Sequence, residues 1–307
     1  MIPVVIGVAA KSGFTRSRLL MPLVFAAALG GNLSLIGAPG NLIAQSALQN
    51  IGSGFGFFEY AEVGLPMVVC GILYFLTIGY KFLPNNSNSS EVGSIGEQRD
   101  YSHVPRWKQI LSLVVLIATI LGMIFEKQTG ISLTVAGCIG ALVLVITGVL
   151  TEKQAYKAID SQTIFIFGGT LALAKALEMT GAGKLVADQV IGLLGNNSSP
   201  FMLLVVVFAL SVVMTNFMSN TATVALLVPV SLSIAAGMGA DPRAVLMATV
   251  IGSSCAYATP IGMPANMMVL SAGGYKFVDY AKSGIPLIIV STIVSLILLP
   301  ILFPFHP

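Results

Sequence analysis

The sequence predicts an all-α fold: a polytopic transmembrane helical bundle with inverted repeats and discontinuous helices. Three observations carry this expectation. Of 307 residues 56% are hydrophobic and 9% charged, and the apolar runs have the length of about 20 residues that a helix needs to cross a bilayer. Two apolar segments are interrupted by Gly and Pro, IGAPGN at 36–41 and IGMPAN at 261–266. A third, MTNFMSNTATVALLVPV at 214–230, sets Asn, Ser and Thr between long apolar stretches.

Along the chain, helical pieces are expected at 1–10, 18–29, 41–50, 62–82, 108–125, 131–150, 162–179, 183–194, 200–218, 222–237, 243–256, 266–272 and 284–304. The stretch from Lys81 to Lys108 contains PNNSNSSEVGSIGEQRDYSHVPRWK, and its Ser/Asn/Gly composition reads as a hydrophilic loop outside the bilayer. The N-x-S triplets at Asn85, Asn88, Asn196 and Asn197 are of the kind that Asn/Ser-rich loops produce by chance. Cys70, Cys138 and Cys255 lie in apolar runs without CxxC spacing, which indicates neither a metal site nor a disulfide framework. The net charge of +3 is small and its basic residues lie in loops. That bears on membrane orientation and gives no reason to expect nucleic acid as a partner.

The sequence repeats itself. IGAPGN at 36–41 aligns with IGMPAN at 261–266, and Arg18 then falls on Arg243 without a gap. Downstream, FFEYAEVGLP at 57–66 pairs with FVDYAKSGIP at 277–286; upstream, with a slip of one residue, IPVVIGVAA at 2–10 pairs with VPVSLSIAA at 228–236. Three collinear matches divide the chain into 1–80, the later part of a first repeat, a cytoplasmic loop at 81–108, and a second repeat at 109–307. Lys11, Arg16 and Arg18 precede the first IGAPGN span and none follows it over 46–60, whereas Arg243 alone precedes the second span and Lys276 and Lys282 follow it. By the positive-inside rule 11–18 and 81–108 are cytoplasmic and the copies are inverted, an architecture of secondary transporters whose substrate site lies near the midplane.

Pro and Gly inside a span free backbone carbonyls and amides where water cannot serve them. Such breaks are tolerated where they line a cavity: unwound carbonyls coordinate cations and half-helix N-termini attract anions. Two copies, each with an Asn two residues after the Pro, point to a binding site over a packed kink. The polar groups of 214–230 have two readings, helix–helix contacts or a ligand site.

None of the twelve Asp and Glu residues falls within the SNT or IGxPxN segments, and the two histidines, His103 and His306, lie in a loop and at the C-terminus. An intramembrane hydrolase needs a nucleophile with a base, or a metal with His and carboxylate ligands, so an enzyme is not expected. A proton-coupled carrier usually needs an intramembrane carboxylate or His, so Na⁺ held by neutral oxygens fits better. Lys175, with Glu178 one turn on, reads as a snorkelling or paired structural charge.

SNTAT at 219–223, TPIGMPAN at 259–266, GGNLSLIGAPGN at 30–41 and IFIFGGTLALAKALEMTG at 164–181 resemble the signature elements of the divalent anion/sodium symporter family, within a superfamily that also contains arsenite-type pumps. The resemblance implies an all-α fold with two re-entrant hairpins tipped by Ser-Asn-Thr facing two broken, discontinuous helices, Na⁺ as coupling ion with no other cofactor, a small anionic substrate bound beside it, elevator-type alternating access, and a homodimer in the plasma membrane in contact with lipid. Carried over by residue, Ser219, Asn220 and Thr221 match the hairpin tip, with Asn220 also a Na⁺ ligand and Thr215 another. Gly262, Met263 and Pro264 match the facing break, with Gly262 a carbonyl ligand; Gly37, Ala38 and Pro39 match its partner, and Asn41 and Asn266 join the Na⁺ set. The family often has Thr before this Pro, where Ala38 and Met263 stand here, so a hydroxyl contact is missing on both sides and a C4-dicarboxylate is in doubt. The repeat register would place the first copy's SNT seven residues upstream of Met1, so Met1 is expected to be an internal methionine of a longer protein. Sodium-coupled symport of a divalent anion such as a dicarboxylate is the expected function. A transport-inactive fragment, and a carrier of an inorganic anion of sulfate or arsenite type, stand as alternatives.

Overall fold

The computed structural model describes residues 2–85, 104–159 and 200–304, together with isolated helical positions between 161 and 192. The pieces expected at 162–179 and 183–194, most of the 81–108 loop, Lys175 with Glu178, and both histidines lie outside the described residues. Numbered here in chain order, the described helices are α1 (Ile2–Ser12), α2 (Arg16–Gly30), α3 (Pro39–Gln49), α4 (Glu59–Thr77), α5 (Arg106–Ile124), α6 (Glu126–Thr129), α7 (Leu133–Ile146), α8 (Glu152–Ala158), α9 (Pro200–Thr215), α10 (Asn220–Met238), α11 (Pro242–Ser253), α12 (Pro264–Leu270) and α13 (Phe277–Leu302). No strand occurs among the described residues. Helices α4, α5, α10 and α13 are long and apolar enough to span a bilayer, and α7 and α9 are shorter apolar helices. The protein is an all-α, multi-pass integral membrane protein.

The chain forms two compact units, one of Met1–Gly93 with Phe165–Pro307 and one of Ser94–Ile164. In the second, α5 packs on α7 through small residues: Gly140 sits against Thr119, whose hydroxyl bonds the Val115 carbonyl at 2.8 Å. Ser132 caps α7, and a Thr151/Gln154 capping box starts α8. Helix α8 was not expected from the sequence; its seven residues are too few to show an apolar period, and the capping box is its main local signal.

In the first unit α13 shows how membrane burial inverts a helix. Its outward stripe is Ile285, Ile289, Ile293, Ile297 and Ile301, all exposed, whereas its buried face carries Ser283, Gly284, Leu287, Ser291 and Ser295. That buried face meets α4 along Tyr60, Val63, Gly64, Met67 and Gly71, which are themselves buried. Small residues bring the backbones together, since lipid leaves no hydrophobic drive between helices. Tyr74 Oη donates to the Ser283 carbonyl at 2.9 Å, and Ser295 Oγ to Met67 Sδ at 3.4 Å.

Several helices begin earlier than hydropathy alone places them. Helices α3 and α12 start at the prolines themselves, Pro39 and Pro264, because Pro at the first helical position loses no hydrogen bond. Helix α13 starts at Phe277, with Asp279 Oδ2 accepting from Lys276 N at 2.8 Å, and α4 starts at Glu59, whose Oε2 accepts from Gly56 N at 2.7 Å. Polar capping residues hide these first turns from an apolar-run criterion.

Arg243, at the start of α11, reaches across to Glu59 and forms an ion pair with its Oε1. Its guanidinium also stands 5.7 Å from the Phe55 ring centroid and 5.9 Å from that of Phe303. The arginine side chain is 33% exposed, so solvent screens the pair, and the two ring contacts add to a modest sum. Arg243→Met is expected to lower stability by about 1–2 kcal/mol, read by denaturant unfolding in detergent, with Arg243→Lys losing less.

Candidate ion and substrate site

The two IGxPxN segments adopt the same structure. In the first, α2 ends at Gly30, a turn follows, and α3 restarts at Pro39; in the second, α11 ends at Ser253 and α12 restarts at Pro264. Asn41 Nδ2 donates to the carbonyls of Gly31 and Ser34 at 3.1 and 2.9 Å. Asn266 Nδ2 donates to those of Ala256 and Thr259 at 2.8 and 2.9 Å. The two acceptors of one break match the two of the other in the repeat register, Gly31 with Ala256 and Ser34 with Thr259. The Asn41 carbonyl in turn accepts from Tyr60 Oη at 3.4 Å, and that of Asn266 from Tyr280 Oη at 2.7 Å, again at matched residues.

Each asparagine therefore satisfies two carbonyls that the break has released, which a buried position requires. Both side chains are fully buried. Each Oδ1 is left without a hydrogen-bond partner among the described residues, so an acceptor remains beneath each break.

The hairpin of α9 and α10 turns at 216–219 and meets the second break. Ser219 caps α10, its Oγ accepting from Ala222 N at 3.2 Å. Asn216 fastens the turn to the break: Nδ2 donates to the Cys255 carbonyl at 3.2 Å, Oδ1 accepts from Ala258 N at 3.0 Å, and its carbonyl accepts from Thr259 Oγ1 at 2.6 Å. Gly262 faces the hairpin closely enough that a β-carbon would meet Thr215 O and the Ala256 methyl. Gly37, its counterpart, has no room for a β-carbon against Gly31 O.

At this junction Thr215, Asn220, Ser253 and Gly262 converge. One outer atom of the Asn220 amide stands 2.8 Å from Thr215 Oγ1, 2.9 Å from the Gly262 carbonyl and 3.2 Å from the Ser253 carbonyl, and Thr215 Oγ1 donates to that same Ser253 carbonyl. Two carbonyls can only accept, so hydrogen-bond chemistry places the amide NH₂ there, donating to Gly262 O and Thr215 Oγ1. The donor set is wholly neutral oxygen: two unwound carbonyls, a hydroxyl and, with the amide reversed, a side-chain carbonyl. That composition suits a hard cation such as Na⁺. No group of three His, Cys, Asp or Glu side chains that could hold a metal ion occurs among the described residues.

Of the residues expected from the sequence, Thr215, Asn220 and Gly262 come together, Ser219 and Thr221 open α10 beside them, and Met263 and Pro264 open α12. Asn266 lies below the break as a strut. Gly37, Ala38, Pro39 and Asn41 form the other break, and α3 meets α10 where Val224 packs against Gly40. Ser253 and Asn216 were not singled out in the sequence. Ser253 contributes through its main chain, which residue type does not reveal; Asn216 lies within the polar run at 214–230, which is a signal in itself.

Citrate transporter family sequences match residues 1–244 and, in a second overlapping match, 120–306. An uncharacterised transporter of Methanocaldococcus jannaschii is 30% identical over 301 residues, covering 96% of this chain and 66% of that protein. The transporter YfbS of Escherichia coli is 35% identical over 171 residues, covering 56% and 28%. The sodium-dependent dicarboxylate transporter SdcS of Staphylococcus aureus is 26% identical over 306 residues, covering 93% and 58%. The chain thus spans less than two thirds of the length of each of these relatives. Matched along nearly its whole length, and carrying two structurally equivalent helix breaks, the chain belongs to the citrate transporter family.

Proposed function

We propose that the protein is a secondary active transporter, a carrier and not an enzyme, that moves Na⁺ together with a small divalent anion such as a dicarboxylate. The convergence of Thr215, Asn220, Ser253 and Gly262 carries this reading, because neutral oxygens from a hairpin tip and a broken helix meet there without an ionisable side chain. The SdcS relative, named for sodium-dependent dicarboxylate transport, supports it. In this reading Thr215, Asn220 and Gly262 hold the cation, with Gly37, Asn41 and Asn266 at and beneath the two breaks as further oxygen donors. The bound cation supplies positive charge that offsets the charge of the anion.

The anion is placed where α3 and α10 begin. Both N-termini are the positive end of a helix dipole, and the helices pack together at Gly40 and Val224. Ser219, Asn220 and Thr221 present amides and hydroxyls on one side, Ala38 and Pro39 the rim of the other, and Met263 and Pro264 flank the tip. With Ala38 and Met263 lacking hydroxyls, backbone amides supply most of the recognition. The two breaks belong to inverted repeats in a plasma-membrane homodimer working by an elevator motion.

Uptake of labelled succinate into proteoliposomes, with Na⁺ or choline outside, tests the proposal. Na⁺-dependent uptake is expected, with citrate and sulfate as competitors reporting anion choice. Equal uptake in choline, or none in either, counts against it. Asn220→Ala is expected to raise the Na⁺ concentration for half-maximal uptake about tenfold or more, and Lys175→Ala to change it far less.

A further inference from the structure

The hydrogen bonds at Asn220 carry an inference that rests on the sodium reading and goes beyond it. Around a six-coordinate hard cation, oxygen ligands at about 2.3–2.6 Å lie about 3.3 Å or more from their nearest neighbours. The Asn220 amide instead stands 2.8 and 2.9 Å from Thr215 Oγ1 and Gly262 O. Because the Gly262 carbonyl can only accept, the 2.9 Å contact with it is an N–H···O bond, and it puts the NH₂ where a cation would compete for the same oxygens.

We infer that Asn220 is a two-state latch: its NH₂ takes the place of the cation in the cation-free carrier, and its Oδ1 turns inward when the cation binds. In the donor orientation the amide bonds Gly262 O on the break and Thr215 Oγ1 on α9, so the hairpin tip stays closed on the broken helix. A half-turn about χ2 exchanges NH₂ for Oδ1 at nearly constant shape, and the same side chain then becomes a ligand. Asparagine is the residue type this demands, since aspartate offers only the acceptor half and alanine neither. The latch lets the carrier keep its tip packed while it returns without cargo. Without it the Gly262 carbonyl would face the Thr215–Ser253 pair with no donor of its own, an arrangement that favours opening.

Thermal unfolding of the purified full chain in detergent, in choline chloride and in sodium chloride, tests the latch without measuring transport. The wild type is expected to unfold at a higher temperature in sodium. Asn220→Asp is expected to unfold about 5 °C below the wild type in choline, where its carboxylate faces carbonyls with no proton to give, and to recover most of that deficit in sodium. Asn220→Ala is expected to lose stability in both salts and to show a reduced sodium response. A wild type that responds to sodium beside an Asp variant with no deficit in choline, or with an equal deficit in both salts, overturns the latch and leaves the sodium site standing. A wild type indifferent to sodium overturns both.

Discussion

Asn266→Leu is expected to destabilise the protein by about 2–4 kcal/mol and to abolish sodium-dependent uptake. The leucine matches the asparagine in volume but cannot donate, so the carbonyls of Ala256 and Thr259, held now at 2.8 and 2.9 Å, would be left unpaired in a buried position. Each unpaired buried acceptor costs about 1–3 kcal/mol, and loss of the unpartnered Asn266 Oδ1 returns part of that sum. The effect on uptake is larger than the effect on stability, because the released backbone includes the turn that presents the Gly262 carbonyl. Denaturant unfolding in detergent with unchanged m gives the first quantity, and proteoliposome uptake the second. Asn41→Leu is expected to cost a similar amount, since its two bonds are the same in kind and position. Met267→Ala, at a half-exposed neighbour, is expected to stay within about 0.5 kcal/mol. If Asn266→Leu stays within that range as well, the strut assigned to it is wrong.

Gly284→Ala and Gly64→Ala are expected to be more damaging still. A β-carbon on Gly284 would fall on the Tyr257 carbonyl, and one on Gly64 on the Asn32 carbonyl, in both cases closer than carbon and oxygen can approach. The obstructing atoms are backbone at the turn of each break, so no side chain can swing away. Overpacking a well-packed core costs about 1–3 kcal/mol and occasionally more; here α4 or α13 must withdraw from its break, and about 4 kcal/mol or more is expected. The measurement is the yield of monodisperse protein on size exclusion and its unfolding temperature. Gly7→Ala supplies the control, since nothing lies within 4 Å of a β-carbon there. It is expected to be neutral or to gain up to about 1 kcal/mol of helix propensity.

The hydrogen bonds explain why the repeat was legible in the sequence. Asn41 and Asn266, Tyr60 and Tyr280, and Gly64 and Gly284 are the letters shared by the two copies, and each pair makes the same contact in both. Asn266 reads in the sequence as one more sodium ligand, whereas its NH₂ is spent on carbonyls of its own break and only Oδ1 remains. Sequence spacing places an amide near a break but does not say which of its ends is already engaged.

The sequence alone determined the membrane class, the positions of both breaks and the register that relates them. Each of these follows from local chemistry: apolar run length, the missing N–H of proline, and the need of a broken backbone for nearby polar partners. The family resemblance grouped Thr215, Asn220 and Gly262, and the structure brings them within hydrogen-bond reach. Only the tertiary structure decided that the Ser253 carbonyl completes that cluster, that Asn216 fastens the hairpin to the break, and that Glu59 pairs with Arg243. A main-chain carbonyl has the same chemistry in every residue, and a contact across nearly two hundred residues of chain is set by how α4, α9 and α11 pack. The identity of the polar residues marked where a broken backbone needs partners; the fold assigned which of their atoms are already engaged.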